Sequence, residues 1–75
     1  MTTHRGLYEL VRSVDVSGVS GTGVVAEVAV FSDGSAAVRW HTPGHPASFA
    51  TWEGGMADVL DVHGHGGSTV ARRVA

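Results

Sequence analysis

Apolar positions alternate on both sides of a short turn and predict a β-hairpin over residues 26–41. Two apolar runs flank Ser32-Asp33-Gly34, and a three-residue loop that ends in a left-handed Gly34 joins them in one register. The facing apolar pairs are then Ala26 with Trp40, Val28 with Val38, and Val30 with Ala36. Glu27 falls opposite Arg39 on the other face, as a cross-strand ion pair worth about 0.5 kcal/mol. A two-residue loop would mix charge into the apolar face, so we favour the three-residue loop.

Three further strands are predicted around this hairpin. Residues 7–14 alternate loosely, and the side that carries Leu10 and Val14 is the better core face. Residues 48–52 form a short strand after two prolines, which cannot donate to a strand ladder. Residues 68–74 form the last strand. Trp40 is expected in the core beside Val28 and Val38.

A change of period predicts one helix over residues 55–63. Met56, Val59 and Leu60 recur at helical spacing. Gly54 and Gly55 should weaken its first turn by roughly 1 kcal/mol each. Gly64 is well placed as the left-handed residue that ends it.

The order of elements predicts a mainly β fold in a single domain, residues 1–75. Strand, long loop, hairpin, short strand, helix and final strand are the order expected of a small five-stranded SH3-like barrel with one short helix before the last strand. An OB-type barrel is the alternative, and it would place its helix between the third and fourth strands.

Composition narrows the classes of protein to which this chain could belong. The 75 residues include no cysteine, so disulfides and thiolate zinc sites are excluded as sources of stability. A formal charge of −2 makes nucleic-acid binding an unfavoured function. No apolar run approaches the ~20 residues of a membrane span. We therefore expect a cytoplasmic protein with no membrane association, and no motif indicates a cofactor.

Glycines and hydroxyls cluster in the loop of residues 15–23, which is a candidate binding loop. Its candidate contacts to a ligand or partner are Ser17, Gly18, Ser20, Gly21, Thr22 and Gly23. Glycine N–H groups and hydroxyls can hold a phosphate oxygen. However, no lysine follows the glycines and the loop leads into a strand, so a plain connection between strands is favoured.

The histidines and the other reactive residue types give weaker signals. His63 and His65 could bind a metal, although a structural zinc site needs four firm ligands. Serine, histidine and aspartate occur without a recognisable nucleophile motif. A chain of this size is also expected to lack a pocket of several hundred cubic ångströms. We therefore predict no catalytic residue and no enzymatic activity.

Three apolar residues of the second strand are predicted to point away from the core. In the favoured register they are Val25, Ala29 and Phe31. An apolar strip on a solvated face is typical of an interface. Since a small cysteine-free domain gains stability by pairing, we expect this strip to support a homodimer or to bind a partner protein.

The strings SGVSGTGVVAEVAVFSDGSAAVRW and TWEGGMADVLDVHGHGGSTV resemble a group of short uncharacterised proteins of actinobacteria and their phages. The resemblance covers residues 7–74 and rests on the glycine loop, the DG turn, the RW strand end and the HGHGG turn. This chain departs from the group at Gly54-Gly55, where a polar first helical turn is common. The resemblance implies a host or phage accessory protein and no catalytic residues.

Together these features predict a non-enzymatic binding module, an adaptor, regulator or inhibitor that engages a protein partner through residues 15–23 and the second-strand face. The first alternative is a small-ligand binder that holds a phosphate or nucleotide in the glycine loop. The second is a histidine-based metal binder.

Overall fold

The computed structural model describes residues 4–13, 22–41, 44 and 46–75, without the side chain of His65. Five strands, one α-helix and one 3-10 helix make up this part of the chain. In order they are β1 (Gly6–Arg12), β2 (Gly23–Val30), β3 (Ala36–Trp40), β4 (Ser48–Trp52), α1 (Met56–His63), the 3-10 helix (His65–Gly67) and β5 (Thr69–Arg73). Each predicted element is present. Its bounds differ by at most two residues, except that β2 begins three residues before the predicted start of the hairpin. Val14, predicted to end the first strand on its core face, lies outside the described residues.

All five strands form one antiparallel sheet in the order β4-β3-β2-β1-β5. Consecutive strands are neighbours from β1 to β4, and the chain then passes through α1 so that β5 pairs with β1. The mainly β prediction with one short helix before the last strand is confirmed. Because β4 and β5 remain the two edges, the sheet is not closed, and the predicted SH3-like barrel is not confirmed. The helix lies between β4 and β5, which does not match the OB-type alternative.

The β2–β3 hairpin has the register that the sequence predicted. Val28 pairs with Val38 and Glu27 lies opposite Arg39. The backbone N–H of Phe31 donates to the carbonyl oxygen of Ser35 at 2.9 Å, which closes a loop of residues 32–34. Gly34 has φ 88°, the left-handed conformation that the three-residue loop requires.

The core lies between the sheet and α1. Its buried apolar residues are Tyr8, Leu10, Val25, Ala26, Val28, Val30, Ala36, Val38, Met56 and Val59. Leu10 lies on the core face of β1, as predicted. Trp40 also packs against this core but is only partly buried. Burial of these side chains is the main favourable term in folding for a chain without disulfides.

Val25 lies in a β-bulge and is buried, so its predicted outward position is wrong. Alternation through β2 is interrupted because β1 pairs Leu10 with Ala26 but pairs the next residue, Val11, with Val24. Val25 is the extra residue of the bulge, and both Val25 and Ala26 face the core. Val25 is 1% exposed as a result.

Gly55 begins helix α1 in a conformation that only glycine readily adopts. It is the N-cap residue, with φ 73° and ψ −155°. A Cβ at this position would lie 2.1 Å from the carbonyl oxygen of Gly34 in the hairpin turn. Because Gly54 and Gly55 precede the helix, their predicted weakening of its first turn is wrong. Gly55 instead permits the close contact between the helix start and the hairpin.

The end of α1 also differs from the prediction. Gly64 has φ −72°, which is right-handed, and its N–H donates to the carbonyl oxygen of Leu60 at 2.8 Å. The chain continues directly into the 3-10 helix, so the left-handed residues come later, at Gly66 and Gly67.

No helix of the described part is long and apolar enough to cross a membrane.

Candidate binding surface

The sheet has one face that α1 does not cover, and we call it the outer face. Its side chains alternate with those of the core along each strand. Backbone pairing places Leu7 beside Ala29, and Ala29 beside Ala37. A second apolar row joins Val70 of β5 to Val11, and Val11 to Val24 of β2. The outer face therefore carries two apolar rows.

Large hydrophobic side chains are exposed on and beside this face. Their exposed fractions range from 43% to 68% among the described residues Leu7, Val24, Phe31, Phe49, Val70 and Val74. Val74 lies beside Leu7, because its N–H donates to the Leu7 carbonyl oxygen at 2.9 Å. Single exposed hydrophobic residues are ordinary, whereas neighbouring ones on one face indicate an interaction surface.

An open hollow lies where β1 begins and β2 ends, and we call it the Leu7–Phe31 hollow. It has a volume of about 520 Å³ and is lined by Arg5, Gly6, Leu7, Ala29, Val30, Phe31 and Ser32. The lining is mainly apolar, with Arg5 as its charged residue. The sequence analysis predicted that a chain of this size would lack a space of several hundred cubic ångströms, and this prediction is wrong. The hollow is open to solvent, so its shape allows contact with one side of an occupant and does not surround it.

A row of charged side chains separates the two apolar rows. Arg72 pairs with Glu9, while Glu9 lies opposite Glu27 and Glu27 opposite Arg39. The predicted ion pair between Glu27 and Arg39 is not formed. Glu27 Oε1 lies 2.8 Å from Nε2 of His41, which follows β3.

The Arg39 guanidinium contacts an aromatic ring on the neighbouring strand. Its Cζ lies 5.1 Å from the ring centroid of Phe49, a distance typical of a cation–π contact. Because Phe49 pairs with Arg39 across β3 and β4, the apolar stem of one side chain and the ring of the other lie together. This contact gives Arg39 a partner other than the predicted carboxylate.

The turn between β2 and β3 holds an ordered carboxylate. Asp33 Oδ1 accepts from the Ser35 hydroxyl at 2.6 Å and from the Ser35 N–H at 2.9 Å. These two hydrogen bonds, the hydroxyl first, lower the pKa of Asp33 below its ordinary value. Asp33 therefore keeps its negative charge, and its Oδ1 is bound within its own turn.

Most of the predicted glycine-loop site lies outside the described residues, namely Ser17, Gly18, Ser20 and Gly21. Thr22 and Gly23 are described, and both are exposed where β2 begins. Gly23 has φ 83°. Their role in binding stays a prediction.

A buried arginine that sequence reasoning did not identify lies at the end of β1. Arg12 is 3% exposed on the core face, and its Nε donates to Oγ1 of the buried Thr69 at 2.8 Å. The two residues pair across β1 and β5. Burial of a guanidinium is costly unless it is well hydrogen-bonded. The signal that could have identified it is the alternation of β1, which places residue 12 on the face of Leu10.

His63 packs between two tryptophans at the end of α1. Its ring centroid lies 4.7 Å from that of Trp40 and 5.6 Å from that of Trp52, both edge-on. No group of three or more potential metal ligands occurs in the described part of the chain. The side chain of His65, the other predicted ligand, is not described. Metal binding by this pair stays a prediction.

The outer face contains two of the three predicted interface residues. Ala29 is half-buried and Phe31 is exposed, while Val25 is in the core. Leu7 and Arg5, which were not predicted as interface residues, complete the hollow beside Phe31. The alternation of Leu7 with Leu10 on opposite faces of β1 was the available signal for Leu7.

The chain matches a known protein family. A family model described as the Acb5 phage protein matches residues 5–75. The chain belongs to this family. Membership in the Acb5 phage protein family confirms the phage part of the sequence resemblance, and the match covers every described strand and α1. The actinobacterial host stays a prediction. No curated protein and no solved structure matches the chain significantly.

Proposed function

We propose that this chain is a non-enzymatic binding module that engages a protein partner through the outer face. The observation that carries the proposal is the row of exposed hydrophobic side chains on a sheet face that α1 leaves uncovered. Exclusion of such a surface from water is the main driving force of protein association. The charged row between the apolar rows would set the register of the partner.

Membership in a phage protein family supports a role as a phage accessory protein. An adaptor, regulator or inhibitor needs an interface and no catalytic centre. The order β4-β3-β2-β1-β5, with a helix directly before β5, also supports the SH3-like interpretation of the fold. The proposal for the outer face does not depend on that interpretation.

Capture from host lysate with matched variants tests the proposal. Phe31→Ser removes an exposed ring from the outer face, and Val62→Ser removes an equally exposed side chain from α1, on the opposite side of the sheet. A host protein retained by the unchanged chain and by Val62→Ser, but lost with Phe31→Ser, is the expected result. Equal retention by both variants would remove the outer face as the binding surface.

Self-association through the outer face is the alternative form of this proposal. The same exposed hydrophobic residues favour a two-fold dimer of a small domain. Sedimentation at micromolar concentration distinguishes a dimer from the 7.7 kDa monomer. A dimer that Phe31→Ser dissociates would identify a second copy as the partner.

The buried pair Arg12–Thr69 favours a second candidate function, the binding of a phosphate or nucleotide. Arg12 ends β1, and the glycine-rich residues 15–23 follow it in the sequence. A buried guanidinium is a strong donor to a phosphate oxygen. An anion held near this end of β1 would help to offset the cost of its burial.

A thermal-shift panel of phosphate, nucleotides and cyclic nucleotides separates the two candidates. Ligand binding should stabilise the chain by about 2.7 kcal/mol at a hundredfold excess over the dissociation constant. The protein-binding proposal predicts no shift. A shift that a bulky substitution at Gly21 or Gly23 abolishes would favour the ligand instead.

A further inference from the structure

The Leu7–Phe31 hollow combines apolar lining residues with one arginine, Arg5. Leu7 is 52% exposed and Phe31 is 51% exposed, so about half of each residue is accessible to solvent. Ala29 also lines the hollow and pairs with Leu7 across β1 and β2. An occupant that fills this space must be largely apolar and must tolerate a cation beside it.

The backbone of Arg5 is held in position by Arg73. The Nη2 of Arg73 donates to the Arg5 carbonyl oxygen at 3.0 Å. The same guanidinium lies against Gly6, where an added Cβ would come within 3.0 Å of Nη2. The Arg73 guanidinium therefore lies against Gly6, which lines the hollow, and its Nε also donates to the Ala75 carbonyl oxygen at 3.3 Å. Arg73 has acceptors of its own, and Arg5 is the charged residue of the lining.

No acidic residue lines the hollow beside Arg5. Asp33, in the adjoining turn, keeps its negative charge, with Oδ1 bound to Ser35, and Glu9 on the same face is paired with Arg72. A carboxylate of a partner is the group that complements the charge of Arg5.

We propose that the Leu7–Phe31 hollow receives a segment of a partner protein in which a leucine or an aromatic residue stands next to an aspartate or glutamate. The apolar side chain packs between Leu7 and Phe31, and the neighbouring carboxylate pairs with Arg5. This inference rests on the proposed function and specifies which part of the outer face determines specificity. A second copy of this chain fits the hollow less well, because a two-fold contact centred there would bring Arg5 towards its own symmetry mate.

Selection from a displayed library of random seven-residue peptides on the immobilised chain tests the proposal. We expect the recovered peptides to share an apolar residue adjacent to an acidic one. Arg5→Gln should weaken their binding by ~3- to 5-fold, the effect of one exposed ion pair. Phe31→Ser should weaken it by at least ~10-fold, since it removes the ring that forms one wall.

An exposed hydrophobic residue outside the outer face provides the matched control. Val62→Ser removes a side chain of similar exposure from α1, on the opposite side of the sheet. This substitution should not change the affinity of the selected peptides. Thermal unfolding confirms that each variant is folded.

The remaining outcomes separate this inference from the proposed function. Peptides that need Phe31 but lack an acidic residue, or that bind Arg5→Gln unchanged, overturn the inference and leave the outer face as a binding surface. A dimer in sedimentation that Phe31→Ser dissociates also overturns it, because the hollow then holds a second copy. Selection of no peptide, or of peptides indifferent to both Leu7→Ser and Phe31→Ser, counts against both proposals.

Discussion

The two faces of the sheet carry similar side chains in different surroundings. On the inner face, Leu10 is fully buried against the core, while Leu7, three residues earlier on the same strand, is half exposed on the outer face. The inner face is closed by α1, whose N-cap Gly55 contacts Gly34 of the hairpin turn. The same class of apolar residue thus stabilises the fold on one side and remains available to a partner on the other. Apolar content alone does not distinguish these roles, and position relative to α1 does.

The largest expected effect comes from truncating the same residue type on the two faces. Leu10→Ala removes a fully buried side chain and leaves a cavity, so we expect a loss of ~3 kcal/mol in the free energy of unfolding. Leu7→Ala should change it by less than ~1 kcal/mol. Urea denaturation of both variants measures the difference. Similar losses would mean that the outer face is covered in the folded monomer.

The contact between the helix start and the hairpin can be broken at a single glycine. Gly55→Ala places a Cβ against the Gly34 carbonyl oxygen and forces a conformation that only glycine readily adopts. We expect a loss of ~2–3 kcal/mol in stability. The control is Gly54→Ala, whose Cβ would meet the Asp58 carboxylate, the movable end of a side chain. Its cost should stay within about 1 kcal/mol.

The β-bulge makes Val25, and not Val24, the valine that faces the core. Val25→Ala removes buried methyl groups, with an expected loss of ~1.5 kcal/mol, whereas Val24→Ala should cost less than ~0.5 kcal/mol. Chemical denaturation again supplies the measurement. A larger cost at Val24 would show that alternation continues without a bulge, and equal costs would contradict the assignment of the two valines to different faces.

The smallest expected effect concerns the turn between β2 and β3. Ser35→Ala removes the hydroxyl that is the larger cause of the lowered pKa of Asp33, so the pKa should rise towards its ordinary value. A lowered pKa in the folded state gives stability that is present above the unfolded-state pKa and lost as pH falls through the folded value. The variant should therefore lose part of this acid dependence. An NMR titration of the Asp33 carboxyl, with no upward change, would contradict the assignment.

Local sequence predicted the hairpin because its two strands and its turn lie within one short segment. Asp33-Gly34 selected the loop, and one register alone satisfied both faces of the ribbon. The bulge at Val25 was not predictable in the same way, since it arises from the pairing of β2 with the distant β1. Glu27 pairs with His41 and not with the facing Arg39. This pairing could not be predicted from Glu27 and Arg39 alone, because Arg39 contacts Phe49 of the next strand.

The candidate surface was predictable in part for the same reason. Phe31 and Ala29 follow from the hairpin register, but the hollow beside them needs β1 as a neighbour. Arg5 and Leu7 come from that neighbour, and only the strand order shows that they meet Phe31. At Gly64 the glycine lies in the expected place but does not have the predicted left-handed conformation. Its φ is right-handed because the chain continues into a second helical turn.

We propose that the outer face, and not the α1 side, binds a protein. The most direct measurement is the affinity of the partner captured from host lysate for Phe31→Ser and for Val62→Ser, each compared with the unchanged chain. We predict at least about a tenfold loss for Phe31→Ser, equivalent to ~1.4 kcal/mol, and no change for Val62→Ser. Unchanged affinity for Phe31→Ser would contradict this proposal, and an accompanying loss for Val62→Ser would assign binding to the α1 side.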